Sequence, residues 1–152
     1  MILMNDFTDV PPELRAREIG ACERVLASGW SILGKEVETF EEAWARTVGV
    51  RHAIGVANGM DALEISLRAA GIGPGDEVIT TPMTAFATVL AIVRAGAVPV
   101  LGDIEPETAC LSLDSVERCL GRRTRAVMPV HLYGRALPLD RWSSFCAERQ
   151  LL

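Results

Sequence analysis

Apolar positions along this chain follow two different rhythms. Up to about residue 50 the spacing is helical. After Pro11-Pro12, the residues Leu14, Ile19, Cys22, Val25 and Leu26 share one side of a helix expected over 13–27. Ser28-Gly29-Trp30 ends that helix, and 31–35 reads as a loop. A second helix is expected over 37–48, with Val37, Phe40, Glu41 and Trp44 at helical spacing and Gly49 closing it. From Arg51 onward, short apolar runs alternate with helical patterns. Strands are expected over 52–57, 77–81, 98–103 and 124–130, and helices over 59–70, 84–95, 112–120 and 137–149. Gly71, the Gly73-Pro74-Gly75-Asp76 turn and Gly96 punctuate them, and Ser112 is placed to cap its helix.

Strands alternating with helices of about ten residues predict βαβ units and a mostly parallel sheet. The run 126–130 is apolar throughout, as expected of a strand covered on both faces. The expected organisation is therefore a helical extension over 1–50 and an α/β body over 51–152. Behind the last helix, Gln150-Leu151-Leu152 reads like a chain about to enter another strand, so the expected sheet is incomplete.

Composition narrows the function. With 49% hydrophobic and 23% charged residues among 152, the chain has the balance of a globular domain with a real core. A net charge of -5 argues against a phosphate-tracking nucleic-acid surface, and 5% aromatic residues argues against a base-stacking platform. Cys22, Cys110, Cys119 and Cys146 form no CxxC pair, and with only His52 and His131 beside them no metal site is expected. The most apolar stretch, 84–93, has about half the roughly 20 residues of a membrane span. The expectation is a soluble, cytoplasmic protein with reduced cysteines.

Three segments are candidates for chemistry. Asn58-Gly59-Met60-Asp61 lies between a strand end and a helix start. Free N–H groups and the helix dipole there favour a phosphate or carboxylate, and Gly59 lets a ligand come close. A plain turn capped by Asn58 or Asp61 is the alternative. The segment 82–88 also opens a helix after a strand, with Thr84 as a candidate cap. Phe86 there either stacks on a planar ligand or packs in the core. In 129–134, His131 stands at a strand's end, where it either works on a ligand or is a packed, hydrogen-bonded side chain. Asp103 has the same ambiguity. No glycine fingerprint of the GxGxxG type and no P-loop is present.

Taken jointly, these segments resemble the DegT/DnrJ/StrS-type aminotransferases, enzymes dependent on pyridoxal 5'-phosphate (PLP) that aminate keto-sugar nucleotides. The likeness is to the N-terminal portion of that family. It is carried by Ser28-Gly29-Trp30-Ser31-Ile32-Leu33-Gly34-Lys35-Glu36-Val37 with Phe40-Glu41, by Ala57-Asn58-Gly59-Met60-Asp61-Ala62-Leu63, by Gly71-Ile72-Gly73-Pro74-Gly75-Asp76-Glu77-Val78-Ile79, by 84–92, by Gly96-Ala97-Val98-Pro99-Val100, and by Pro129-Val130-His131-Leu132-Tyr133-Gly134. It implies part of the large domain of a fold type I PLP enzyme, usually a homodimer. It further implies PLP phosphate at Asn58, Gly59, Met60 and Asp61, the PLP ring against Ala85 and Phe86, and substrate near Trp30 and His131. Two positions depart from the family pattern, which commonly has Thr or Ser at Met60 and an aromatic at Ala85. The family's Schiff-base lysine has no match in these residues. Of 15 basic residues only Lys35 is a lysine, and it lies ahead of the α/β body. The resemblance thus implies PLP held non-covalently at most, with no catalytic residue in this chain and no activity in isolation. The alternative is a non-catalytic binding or interaction remnant of the same fold.

Overall fold

A computed structural model describes residues 8–152. They fall into two compact units, one ending at Gly55 and the other running Val56–Leu152.

The first unit is a pair of helices. Helix α1 (Pro12–Ser28) begins with proline in its first turn, where a missing N–H costs nothing, and ends on Gly29 in the left-handed conformation at φ 67°. Helix α2 (Lys35–Val48) ends the same way on Gly49 at φ 76°. Arg24 on α1 is paired with Glu36 on α2, with Nε 2.6 Å from Oε1. The apolar side expected of α1 is not buried: no residue of α1 is, and of α2 only Ala45 is. Phe40 and Trp44 stack on each other with ring centres 6.0 Å apart and stay exposed.

The second unit is α/β. Helix α3 (Gly59–Ala69) leads through the 71–76 turn into strand β1 (Glu77–Thr80). Helix α4 (Phe86–Arg94) connects β1 to β2 (Val98–Leu101), and α5 (Leu113–Cys119) connects β2 to β3 (Thr124–Val127). A single 3-10 turn at Leu132–Gly134 precedes α6 (Leu139–Glu148). The strands form a parallel sheet in the order β2-β1-β3. Side chains alternate across a strand, so neighbouring residues of β1 serve opposite faces of the sheet. Val78 packs with Leu67 of α3 and Ile92 of α4, whereas Ile79 packs with Val116 of α5 and Trp142 of α6. Both sheet faces are thus covered. At the outer edge of β3, the Leu152 N–H donates to the Arg125 carbonyl (3.0 Å) and the Val127 N–H to the Leu152 carbonyl (2.9 Å), the bond pattern of a parallel ladder.

Further expectations need correction, first the strands expected over 98–103 and 124–130, which end at Leu101 and Val127. Residues 52–57 form no strand. No strand pairs with them, and the Gly55 N–H donates to the Glu41 carboxylate at 2.6 Å. Helix α4 starts at Phe86, not Thr84, and its N-cap is Ala85 with no side-chain bond. Ser112 does occupy the N-cap of α5, but its side chain makes no capping bond. Among the described residues no helix is long and apolar enough to cross a membrane.

Candidate functional site

In a parallel sheet all carboxyl ends of the strands face one edge, and ligands of open α/β sheets bind outside that edge. Here Thr80 organises it. Its hydroxyl donates to the Met128 carbonyl (2.8 Å), and its own carbonyl accepts the Gly102 N–H (2.7 Å), so the ends of β3 and β2 are both tied to β1. Thr80 is fully buried. Replacing it with valine keeps the shape but strands the Met128 carbonyl. A loss of about 1–3 kcal/mol is expected in urea unfolding, the usual cost of an unsatisfied buried group.

The Asn58 turn lies at the same end of the unit, because a short turn returns α3 into β1 in the opposite direction. Asn58 is the N-cap of α3. Its Oδ1 accepts the Asp61 N–H (3.0 Å), its carbonyl accepts the Ala62 N–H (3.1 Å), and its Nδ2 donates to Asp61 Oδ2 (2.9 Å). The capping reading of Asn58 therefore holds. It does not exhaust the turn. First-turn N–H groups have no acceptor inside a helix, and those of Gly59 and Met60 find none elsewhere among the described residues. Gly59 is exposed, and beyond its own turn a Cβ placed on it would meet no atom within 4 Å, so a ligand can approach the backbone there. Two aligned donors at a positive helix end, approachable from outside, form a cradle for an anion.

Phe86 does not pack in the core: it is 77% exposed at the first residue of α4, beside exposed Ala85. Thr84 shares a hydrogen bond with Thr88 between their hydroxyl oxygens (2.7 Å), which fixes the approach to α4. His131 is exposed, and its Nδ1 accepts the Leu137 N–H at 3.1 Å. An accepting Nδ1 is bare, so the neutral ring carries its proton on Nε2. Between them Tyr133 sits at φ 53° and is 89% exposed, a strained conformation of the kind that collects at binding loops. Asp103 is exposed, and its carboxylate bonds locally, with Oδ1 accepting the Ile104 N–H at 2.9 Å. No hydrogen bond links the Asn58 turn, Phe86 and His131; what they share is this end of the unit.

Trp30 belongs to the first unit. It is 67% exposed, and its ring N–H donates to the Ile32 carbonyl. With Leu33, at φ 51°, it lines a depression of about 300 Å³ that also holds Lys35 and Glu38. The Lys35 ammonium lies 3.0 Å from the Glu38 carboxylate. That hydrogen bond first, and the Glu38 charge second, hold it above the ordinary lysine range. Among the described residues, no cluster of three or more metal-ligating side chains exists.

Sequence reasoning missed Arg94, whose guanidinium reaches Glu64 (Nε to Oε2, 2.7 Å) and Asp61 (Nη1 to Oδ1, 3.8 Å) on α3. Nothing in a one-dimensional pattern couples a basic last turn of one helix to the acidic first turn of another. Thr80 had a visible signal, a polar residue directly after the apolar pair Val78-Ile79.

These features define a parallel α/β domain, covered on both sheet faces, with two unbonded N–H groups at a helix N-terminus. Residues 12–152 match the DegT/DnrJ/EryC1/StrS aminotransferase family, and the chain belongs to it. Over 137 residues it is 44% identical to the dTDP-3-amino-3,4,6-trideoxy-alpha-D-glucose transaminase of Micromonospora megalomicea subsp. nigra, covering 90% of this chain and 37% of that protein. The crystal structure of S. venezuelae DesV in complex with a ketimine intermediate superposes with a TM-score of 0.88 at 43% identity, covering 91% of this chain and 38% of DesV. That of NtdA from Bacillus subtilis with bound cofactor PMP gives 0.87 at 29% identity, covering 97% and 36%. The chain thus spans little more than a third of the length of each of these relatives.

Proposed function

We propose that this chain is the N-terminal portion of a PLP-dependent aminotransferase that moves an amino group from an amino acid, glutamate in this reading, to a keto-sugar nucleotide, as part of a homodimer. The observation that carries the cofactor assignment is the α3 N-terminus, with two unbonded N–H groups and open space over Gly59. Family membership and the named activity of the Micromonospora megalomicea relative support the substrate class.

The residues present fit such a cofactor. Gly59 and Met60 would bind its phosphate through backbone N–H groups, with Asn58 and Asp61 fixing the turn. Ala85 and the exposed Phe86 would lie against its ring. Bound PLP supplies an electron sink at the carbon carrying the amino group. The chain's own share is to bind and orient: the cradle fixes the phosphate end, and Phe86 offers an apolar face that keeps water from one side of the ring. His131, with a proton on Nε2, presents a hydrogen-bond donor toward substrate, and Trp30 is the second substrate-side residue in this reading.

The test is to titrate the purified chain with pyridoxine 5'-phosphate and with pyridoxine, which lack the aldehyde and so cannot react with Lys35. The phosphorylated ligand is expected to bind at least about tenfold more tightly, since a charge-assisted pair of N–H bonds is worth about 1.5–3 kcal/mol. Gly59→Val fills the open space and is expected to remove most of that preference. It should move the thermal midpoint little, because the new Cβ meets no neighbour. Equal binding of the two ligands would overturn the assignment.

A further inference from the structure

We propose that Arg94 is a positioning residue for phosphate at the α3 N-terminus: it neutralises Asp61 and holds that carboxylate along the flank of the helix, so that the cradle accepts a dianion. This rests on the cofactor reading above. The difficulty it resolves is electrostatic. Asp61 lies in the same first turn as Gly59 and Met60, the two residues that would donate to the phosphate. A carboxylate there favours the helix dipole in the empty state but repels an arriving phosphate, by an amount that grows as solvent is excluded.

The structure shows how the charge is handled. Asp61 Oδ2 accepts from Asn58 Nδ2 at 2.9 Å, while Oδ1 faces Arg94 Nη1 at 3.8 Å. The other side of the same guanidinium is anchored: Arg94 Nε lies 2.7 Å from Glu64 Oε2, and the Glu64 side chain is only 13% exposed. Glu64 Oε1 in turn lies 3.0 Å from Arg68 Nε, and the Arg68 guanidinium donates to the Arg94 carbonyl at the end of α4. The charged groups recorded on this flank are therefore two acids, Asp61 and Glu64, and two arginines, Arg68 and Arg94, with no net charge. Arg68 is committed to Glu64 and to the α4 carbonyl. Among the described residues, Arg94 is the one cation recorded on Asp61. Because Glu64 fixes its Nε edge, Arg94 meets Asp61 without losing the freedom of a mobile side chain. Take it away and the flank carries one net negative charge, on the residue nearest the cradle.

The experiment compares pyridoxine 5'-phosphate with pyridoxine on four forms of the chain. Arg94→Gln is expected to weaken binding of the phosphorylated ligand about three- to tenfold and to leave pyridoxine unchanged, with the loss shrinking as salt is raised. Adding Asp61→Asn to Arg94→Gln is expected to restore the affinity, since asparagine keeps the backbone N–H that Asn58 caps and removes the charge. Arg94→Lys, which keeps the charge, is expected to stay within about twofold of the parent and guards against a loss caused by poor folding of the glutamine variant. Unchanged phosphate binding in Arg94→Gln, an equal loss for both ligands, or no recovery in the double variant would overturn the proposal. Failure of the unsubstituted chain to prefer the phosphorylated ligand would be seen before any substitution. It would remove the cofactor reading and this proposal together.

Discussion

Replacing Ile92 with alanine is expected to destabilise the α/β unit by about 3–4 kcal/mol, within the usual range for truncating a fully buried aliphatic side chain. Ile92 has no exposed surface. It sits in the cluster formed by Leu67, Ile72, Val78, Ala95, Ala97 and Ala126, so it joins α3, α4 and two strands at once. The lost contacts have no substitute, because Ala95 and Ala97 beside it are too small to close the space. Domains of this size are stable by only about 5–15 kcal/mol, so the substitution removes a large part of the whole. Urea unfolding should show the midpoint falling with little change in slope. Phe86→Ala on the same helix supplies the contrast. Phe86 is 77% exposed at the start of α4, and its removal is expected to shift stability by no more than about 0.5 kcal/mol. A loss at Phe86 comparable to that at Ile92 would mean that Phe86 belongs to the core after all. The two substitutions thus separate the helix's buried seat from its exposed first residue.

The exposure of Phe86 was not legible in the sequence, but much of the α/β architecture was. The alternation of apolar runs with helical patterns announces a parallel sheet because a strand covered on both faces must be apolar on both. Of the expected run 126–130, Ala126 and Val127 are strand residues buried on opposite faces of β3, whereas 128–130 lie beyond the strand and Arg125 before them is exposed. Asn58 announces a helix start because its short side chain reaches back to the third N–H, and it does so. Gln150-Leu151-Leu152 looks strand-like, and Leu152 does take ladder bonds from β3. What misled was locality. Residues 52–57 have strand chemistry, but a strand exists only beside another, and the Gly55 N–H goes to Glu41 instead. The apolar stripe of α1 has helical spacing, but spacing does not say what lies opposite, and none of it is buried. Arg94 and Asp61 meet only because α3 and α4 pack on the same sheet face. The pairing of Thr80 with Met128 likewise depends on strand order, which no single segment encodes.

The largest functional effect expected is an absence. Purified as these 152 residues, the chain should transfer no measurable amino group from glutamate to a keto-sugar nucleotide. Enzymatic acceleration is typically 10⁶-fold or more, so even a poorly competent site would stand out from the background reaction. The reason lies in Lys35. An amine that attacks an aldehyde must be unprotonated, and enzymes achieve this by burying a lysine or setting it beside another cation, both of which lower its pKa. Lys35 has the opposite surroundings. Its side chain is 80% exposed, Glu38 binds it at 3.0 Å, and the more distant Glu42 adds to the pull, so its pKa rises. A raised pKa keeps the ammonium protonated throughout the neutral range and leaves it less nucleophilic than a free lysine. The exposed pair contributes little to stability, and that little is present below the ordinary lysine pKa and lost as pH rises through the folded value. Lys35→Met should therefore leave both the thermal midpoint and the affinity for pyridoxine 5'-phosphate unchanged. Turnover by the chain that disappears in Lys35→Met would reverse this argument and make Lys35 the amine of the site. Turnover that survives the substitution would mean that catalysis here does not pass through a lysine side chain.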